Sequence, residues 1–442
     1  MKTKPETPKY RNAETPKLSP IIFTPGDKVK IQTKGKVWEG HALQSHDPEI
    51  ILLKLKSGYN IGIRENEILN AKITEISTTN CQRSELPAKR TTNSQLPNVA
   101  IVITGGTISS RLDPKSGGVI STDKEEILNI APELKKICNP IIQIPFTKWS
   151  ENMSFPDWKK LAEVCEKNLN DENISGIIIT HGTDFLHYTS AALSFFLKDL
   201  NKPIALTYSQ RSIDRASTDA ALNLICAARY ATSDVAEVAL IGHENTNDET
   251  CLAMPGTKVR KMHTSKRDAF KIINDTPIAE ITKDKIKILK TFNARRDNQK
   301  PKTKNQKRET KFRSPTTDTK FQDKVASIKI TPGQDPAILE YYEQQGYKGI
   351  ILEITGIGHV PAQDAKFNWL PKIKKAIQNG MTICTTAQTI FGRLNPNVYS
   401  AGRDLQKTGI IFLDDTSETA LVKLGWVLGH KSWNPKEKML EK

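Results

Sequence analysis

The stretch AIVITGGTISS, Ala100–Ser110, constrains the fold of this chain more than any other. Ala100 to Ile103 are apolar and mostly β-branched, and they read as a buried strand that Thr104-Gly105-Gly106 interrupts. Thr107 then stands at the carboxyl end of the strand, where open parallel α/β sheets place their ligands. Glycines let backbone N–H groups approach a substrate atom closely and adopt φ angles that other residues resist. A hydroxyl beside exposed amides is the raw material of a nucleophile with its own anion site. Taken alone, the stretch also fits a plain sharp turn. A phosphate loop is disfavoured, because no Gly-Lys-Ser/Thr follows and G-x-G-x-x-G is absent here. A serine nucleophile elbow would need G-x-S-x-G, which the chain lacks.

At 442 residues the chain should hold two or three domains. Its 37% hydrophobic and 26% charged residues suit a folded, rather polar protein. No run approaches the roughly 18 apolar residues of a membrane helix, and the start, MKTKPETPKYRNAETPK, has no apolar core of a secretory signal. The six cysteines (81, 138, 165, 226, 251 and 384) are scattered, which fits reduced thiols in a cytoplasmic protein and offers no zinc spacing. No H-x-x-x-H occurs among the eight histidines, so no metal site is expected. The net charge of +16 suits a polyanion nearby, although many basic proteins bind none.

Residues 1–20 read as a disordered tail. Residues 21–72 hold short β-rich runs, KVKIQT, VWEGHAL, EIILLKL and YNIGI, separated by turn residues. They predict a small closed antiparallel β-barrel for binding or docking. Residues 73–96 have linker composition. From 97 to 292 strand and helix patterns alternate. Strands are expected at Val99–Ile103, Gly176–Thr180, Pro203–Thr207 and Val235–Ile241, and helices at Phe155–Leu169, Leu186–Leu200 and Ser217–Ala231. Such alternation implies a mainly parallel sheet covered on both faces. Residues 293–324 form a basic connector, either simply solvated or touching nucleic acid. A second, smaller α/β unit fills 325–442.

Two further signals carry chemistry. GIIITHGTD, Gly176–Asp184, repeats the layout of strand, glycine turn and hydroxyl residue, and its Thr183-Asp184 pair could instead cap a helix. KVRKMHTSKRDAF, Lys258–Phe270, offers three lysines and two arginines, among which periodicity does not choose. A lysine serving as base must have its pKa lowered by burial or cationic neighbours.

TGGTI, HGTD and KMHTSKRDAF together resemble the signatures of the asparaginase/glutaminase family of two-domain amidohydrolases. The resemblance implies Thr107 as nucleophile, Thr183, Asp184 and Lys261 as its catalytic partners, and Ser150, in WSENM, as a contact for the substrate α-carboxylate. Gly106 and Gly182 would complete the substrate site. The predicted barrel, with QRSIDRASTDAALNL, TGIGHVP and QTIFGRLNPNVYSAGRDL, narrows the likeness to the D subunits of archaeal glutamyl-tRNA(Gln) amidotransferases, from about residue 22 to 442. That likeness implies an asparaginase-like two-domain parallel-sheet fold after the barrel. It also implies a glutaminase within a carbon–nitrogen ligase, feeding ammonia to a partner, the E subunit, that uses ATP and Mg²⁺ to convert Glu-tRNA(Gln) to Gln-tRNA(Gln). This chain itself would bind no cofactor and no membrane, and two D and two E chains would assemble.

In the implied chemistry, Lys261 takes a proton through the Thr183 hydroxyl, and amides of the two glycine turns stabilise the oxyanion, at about 3 kcal/mol per donor. Asp184 either holds the substrate α-ammonium, the favoured duty, or sets local charge. One departure stands out. The family's loop tyrosine is missing: Pro114 lies where it is looked for, and no tyrosine occurs between Thr107 and Tyr188. Either another group supplies that hydroxyl or, the favoured expectation, glutaminase activity stays weak until a partner closes the loop. The alternatives are a free-standing L-asparaginase/glutaminase with an accessory barrel, and a basic RNA-binding adaptor on a dead hydrolase fold.

Overall fold

A computed structural model describes residues 23–75, 95–112, 119–121, 130–296 and 314–441, apart from positions 25, 44, 46, 48, 58, 214 and 216. The expected tail, Pro114, and most of the expected linker and basic connector lie outside the described residues. The chain divides into a small N-terminal unit and a large one.

In the small unit, β1 (Lys28–Thr33), β2 (Val37–Leu43), β3 (Ile50–Leu55), β4 (Asn60–Arg64) and β5 (Ile68–Glu75) form an antiparallel sheet of order β4-β3-β2-β1-β5. Val29, Ile31, Ala42, Leu53 and Ile63 make its core. Two expectations need correction. The ladder does not close, since β4 and β5 are its two ends and do not pair with each other among the described residues. A single Arg64–Ile68 turn around Glu65–Glu67 carries the chain from β4 to β5, and β5 then takes the free side of β1 rather than joining β4. The sequence reading also passed over β5. Its mostly exposed ILNAKITE lacks the clean alternation of a strand with one buried face, and its pairing with β1 carries two register irregularities.

In the large unit, β6 (Asn98–Ile103) is followed by the two-stranded pair β7 (Ser110–Leu112) and β8 (Val119–Ser121), then β9 (Asn139–Gln143). Helix α1 (Phe155–Asn170), β10 (Ile174–Thr180), α2 (Leu186–Phe196), β11 (Leu197–Lys198), β12 (Ile204–Thr207) and α3 (Ala220–Ala231) come next. There follow β13 (Val238–His243), β14 (Cys251–Pro255), β15 (Val259–Lys261), β16 (Phe270–Ile272), β17 (Ala279–Ile281) and β18 (Ile286–Ile288). Eight of these strands form one sheet of order β18-β17-β14-β13-β12-β10-β6-β9. The five from β9 to β13 are parallel, and β14, β17 and β18 continue antiparallel. The sheet is thus mainly parallel, as expected, with an antiparallel extension at one edge.

The continuous apolar runs in β6 and β10 reflect burial on both faces. Val102, Ile177 and Ile179 pack with α1 and α2, while Val99, Ile101 and Ile178 pack on the opposite side with α3. Helix α1 starts at a capping box, in which the Asp157 carboxylate accepts from the Ser154 N–H and hydroxyl at 2.9 and 3.1 Å. Helix α2 ends at Phe196 because the next two residues turn to pair with β19 (Thr316–Thr317). Helix α3 starts three residues later than its apolar pattern, because Asp219 is committed to the preceding loop through the Gln210 and Arg211 amides.

The remainder is a four-stranded parallel sheet, β20 (Val325–Lys329), β21 (Gly349–Ile354), β22 (Thr382–Ala387) and β23 (Ile411–Phe412). Around it lie α4 (Ile338–Gln344), α5 (Trp369–Gln378), α6 (Ser400–Gln406), α7 (Ser417–Leu428) and α8 (Pro435–Leu440). Leu424 and Trp426 of α7 share the apolar core of α1 and α2. Among the described residues, no helix is long and apolar enough to cross a membrane.

Candidate active site

Strands β6 and β10 are paired in parallel with Ile103 opposite Thr180, so both chains leave the sheet at the same edge. The Thr104 hydroxyl and amide donate to the Thr180 carbonyl at 2.9 and 3.1 Å, holding the exits together. Gly105 and Gly106 then take φ angles of 115° and 83°, a region that costs a side chain about 1–2 kcal/mol. A Cβ at Gly106 would overlap the Gly182 amide nitrogen, so the two glycine turns lie backbone against backbone. Thr107, first residue of a short 3₁₀ turn, and Thr183 are each the next residue after that contact. The N–H groups of Gly106, Thr107, Gly182 and Thr183 find no acceptor among the described residues. Gly106→Ala is expected to lower stability by more than about 1–2 kcal/mol, the φ penalty plus the overlap. Chemical denaturation checks it.

Lys261 arrives from a different part of the chain. It ends β15, opposite Phe270 of β16 in a two-stranded hairpin. Its Nζ lies 2.8 Å from Thr183 Oγ1 and 2.7 Å from Asp184 Oδ1, with the side chain only 12% exposed. Asp184 is 58% exposed, so its other oxygen faces outward from this pair. Ser150 is buried beneath the same turn, where its Oγ accepts from the Asp184 and Phe185 amides at 3.1 and 3.4 Å. A Cβ on Gly182 would come within 2.8 Å of that oxygen. The hydroxyl proton of Ser150 is left to donate elsewhere.

The structure therefore brings Thr183, Asp184 and Lys261 into direct contact. It sets Ser150 under them and lays the Gly106–Thr107 turn alongside. Arg260 shows why periodicity did not choose among the basic residues of β15: in a strand it faces away from its neighbour and pairs with Glu418 of α7 at 3.1 Å. Lys258 pairs with Asp415 at 2.8 Å. Neither partnership leaves a local sequence signal. Lys148 and Asp157 pair at 2.6 Å, tying the segment before Ser150 to the start of α1, and Asp157 is held below the usual carboxylate range by its hydrogen bonds to Lys148 and Ser154 against an opposing burial cost.

Two buried histidines flank the site. Burial lowers the His181 pKa to about 4, and burial with the Arg260 and Lys261 charges lowers that of His187 to about 3. An unfolded chain takes up these protons near pH 6.5 whereas the folded one refuses them until far lower pH. Their contribution is therefore complete above pH 6.5 and declines as pH falls toward 4, by up to about 1.4 kcal/mol per pH unit per histidine. Denaturant midpoints measured between pH 7.5 and 4.5 should fall accordingly, and replacing His187 with a neutral side chain should flatten the slope.

Comparison with known proteins places these features. Residues 98–293 match the family model "Asparaginase, N-terminal", residues 324–439 "Glutaminase/Asparaginase C-terminal domain", and residues 23–74 "GatD N-terminal domain". The D subunit of the glutamyl-tRNA(Gln) amidotransferase from Thermococcus kodakarensis is 45% identical over 416 residues, 93% of this chain and 88% of that one. The protein of the same name from Methanosarcina mazei is 40% identical, covering 92% and 93%. Among solved structures, the thermostable L-asparaginase from Thermococcus kodakarensis superimposes with a TM-score of 0.66 at 27% identity, over 78% of this chain and 97% of that one. L-asparaginase I from Vibrio cholerae gives 0.64 at 25%, over 78% and 98%.

Proposed function

This chain belongs to the family of glutamyl-tRNA(Gln) amidotransferase D subunits, and from that membership and the site geometry we propose that it hydrolyses glutamine to supply ammonia within such an amidotransferase. The observation that carries the reading is the Lys261 amine bridging Thr183 and Asp184 where two glycine turns meet. In this reading the Thr107 hydroxyl attacks the side-chain amide carbon. Its proton passes to the Thr183 oxygen as the Thr183 proton passes to the Lys261 amine, the base of this reading. The unpartnered amides at 106, 107, 182 and 183 receive the oxyanion. The C–N bond then breaks, the proton leaves with ammonia, and an ester on Thr107 remains for water to cleave to glutamate. The outward oxygen of Asp184 holds the substrate α-ammonium, and the Ser150 hydroxyl donates to its α-carboxylate.

A partner, the E subunit, that activates Glu-tRNA(Gln) with ATP and Mg²⁺, in an assembly of two D and two E chains, completes the proposal. The test is ammonia release by the full chain from glutamine and from asparagine, with and without that partner and Glu-tRNA(Gln). Glutamine hydrolysis stimulated by partner and tRNA is expected. Asparagine hydrolysis at full rate by the chain alone would instead make it a free-standing asparaginase.

A further inference from the structure

The HGTD motif contains a histidine for which the mechanism above has no use. His181 ends the path of β10, its N–H donating to the Thr207 carbonyl at 3.0 Å, and its side chain is wholly buried. Imidazole Nδ1 lies 2.7 Å from the Gly182 carbonyl oxygen, and Nε2 lies 2.9 Å from the buried Thr189 hydroxyl on α2. That hydroxyl in turn lies 3.0 Å from the indole Nε1 of Trp158 on α1.

For a neutral imidazole, the form its burial favours, only one arrangement of protons satisfies all three contacts. An indole N–H only donates, so the Thr189 oxygen accepts it and turns its own proton toward His181 Nε2. A carbonyl only accepts, so His181 Nδ1 carries the hydrogen. The imidazole is therefore the neutral Nδ1–H form, and the chain of donors runs Trp158, Thr189, His181, Gly182. Its burial keeps it in that form through the neutral range.

Gly182 is where such a bond matters. It has no side chain to hold its peptide plane, its amide nitrogen abuts Gly106, and its carbonyl belongs to the peptide that carries Thr183. We propose that His181 is a positioning residue: held by Thr189 and Trp158, it fixes the Gly182–Thr183 peptide so that Thr183 meets Lys261 and stays aligned with the nucleophile turn. The inference rests on the glutaminase reading of this site. Without the Thr189 hydroxyl, Nε2 loses its donor and only the Gly182 carbonyl still favours the Nδ1–H form, so the preference weakens. In the alternative form a nitrogen lone pair faces the Gly182 carbonyl and repels it.

The test uses the full chain assayed with its partner. Thr189→Val, nearly isosteric, should lower kcat for glutamine by about 10- to 100-fold, as a small misplacement does, with KM unchanged. Thr189→Ser should restore kcat to near wild type. Nitrogen NMR of ¹⁵N-histidine-labelled wild-type protein, with the His181 signals identified by their loss in His181→Asn, should show Nδ1 protonated and Nε2 bare. In Thr189→Val those two signals should move toward each other. A wild-type kcat in Thr189→Val, or a bare Nδ1 in the wild type, overturns the proposal. If Thr189→Val fails to fold, the wild-type spectrum still decides. Thr107→Ala separates the two levels: an inactive Thr107→Ala beside a fully active Thr189→Val removes only this inference, whereas an active Thr107→Ala removes the glutaminase reading beneath it.

Discussion

Thr107→Ala is expected to reduce glutamine hydrolysis by about 10⁴-fold or more, the scale seen when a covalent nucleophile is deleted. The fold should survive, because Thr107 is only half-buried and its side chain makes no hydrogen bond among the described residues. In the proposed mechanism what is lost is the atom that forms the ester, so substrate binding should change little and kcat should carry the effect. Thr107→Ser keeps the hydroxyl and should retain much of the activity. The placement of Lys261 against Thr183, not Thr107, makes the identity of the attacking hydroxyl directly measurable. Trapping with a glutamine-like electrophile followed by peptide mass spectrometry should find the adduct on Thr107, and an adduct on Thr183 would exchange the two roles. Transfer of ammonia supplied externally should persist in Thr107→Ala, since the partner's chemistry does not need this hydroxyl.

The second large effect belongs to Lys261. Lys261→Met keeps the length and apolar stem but removes the amine that the proposed mechanism uses as proton acceptor, and it should cost about 10²–10⁴-fold in kcat, the usual worth of general base catalysis. Lys261→Arg should fail to rescue, because a guanidinium stays protonated at any pH the fold tolerates. It would still satisfy Asp184, so it separates charge pairing from proton transfer. Removal of Lys261 also leaves Asp184 without its 2.7 Å partner, but that carboxylate is exposed enough for water to replace it, so stability should change by only about 0–1 kcal/mol.

How much of this was readable in the chain depends on whether a feature is local. The apolar runs ending in Gly105-Gly106 and Gly182 announce two strands with turns at the same end, because hydrophobic spacing and glycine φ freedom act over a few residues. The start of α1 at Ser154 is legible for the same reason, a cap and its Asp157 lying three residues apart. The ILNAKITE strand and the edge strand at Asn139–Gln143 were not, since partly exposed strands lose the pattern that marks a buried one. Closure of the N-terminal ladder was equally beyond reach: which side of β1 the last strand joins is settled by a turn and a register, not by composition.

At the site the division is sharper. The order of residues determined that Thr107 and Thr183 would each follow a glycine turn at a strand's end, and nothing beyond short-range chemistry was needed for that. It named Lys261 only by likeness to a family, because the basic residues of one short stretch look alike until strand alternation turns Lys261 one way and Arg260 the other. The tertiary structure alone brought an amine within 2.8 Å of a hydroxyl 78 positions away. It also set the His181 imidazole between the Gly182 carbonyl and a hydroxyl that an indole from a second helix holds. Contacts of that kind depend on how helices and hairpins pack against a finished sheet, a matter of the whole core and of no single stretch.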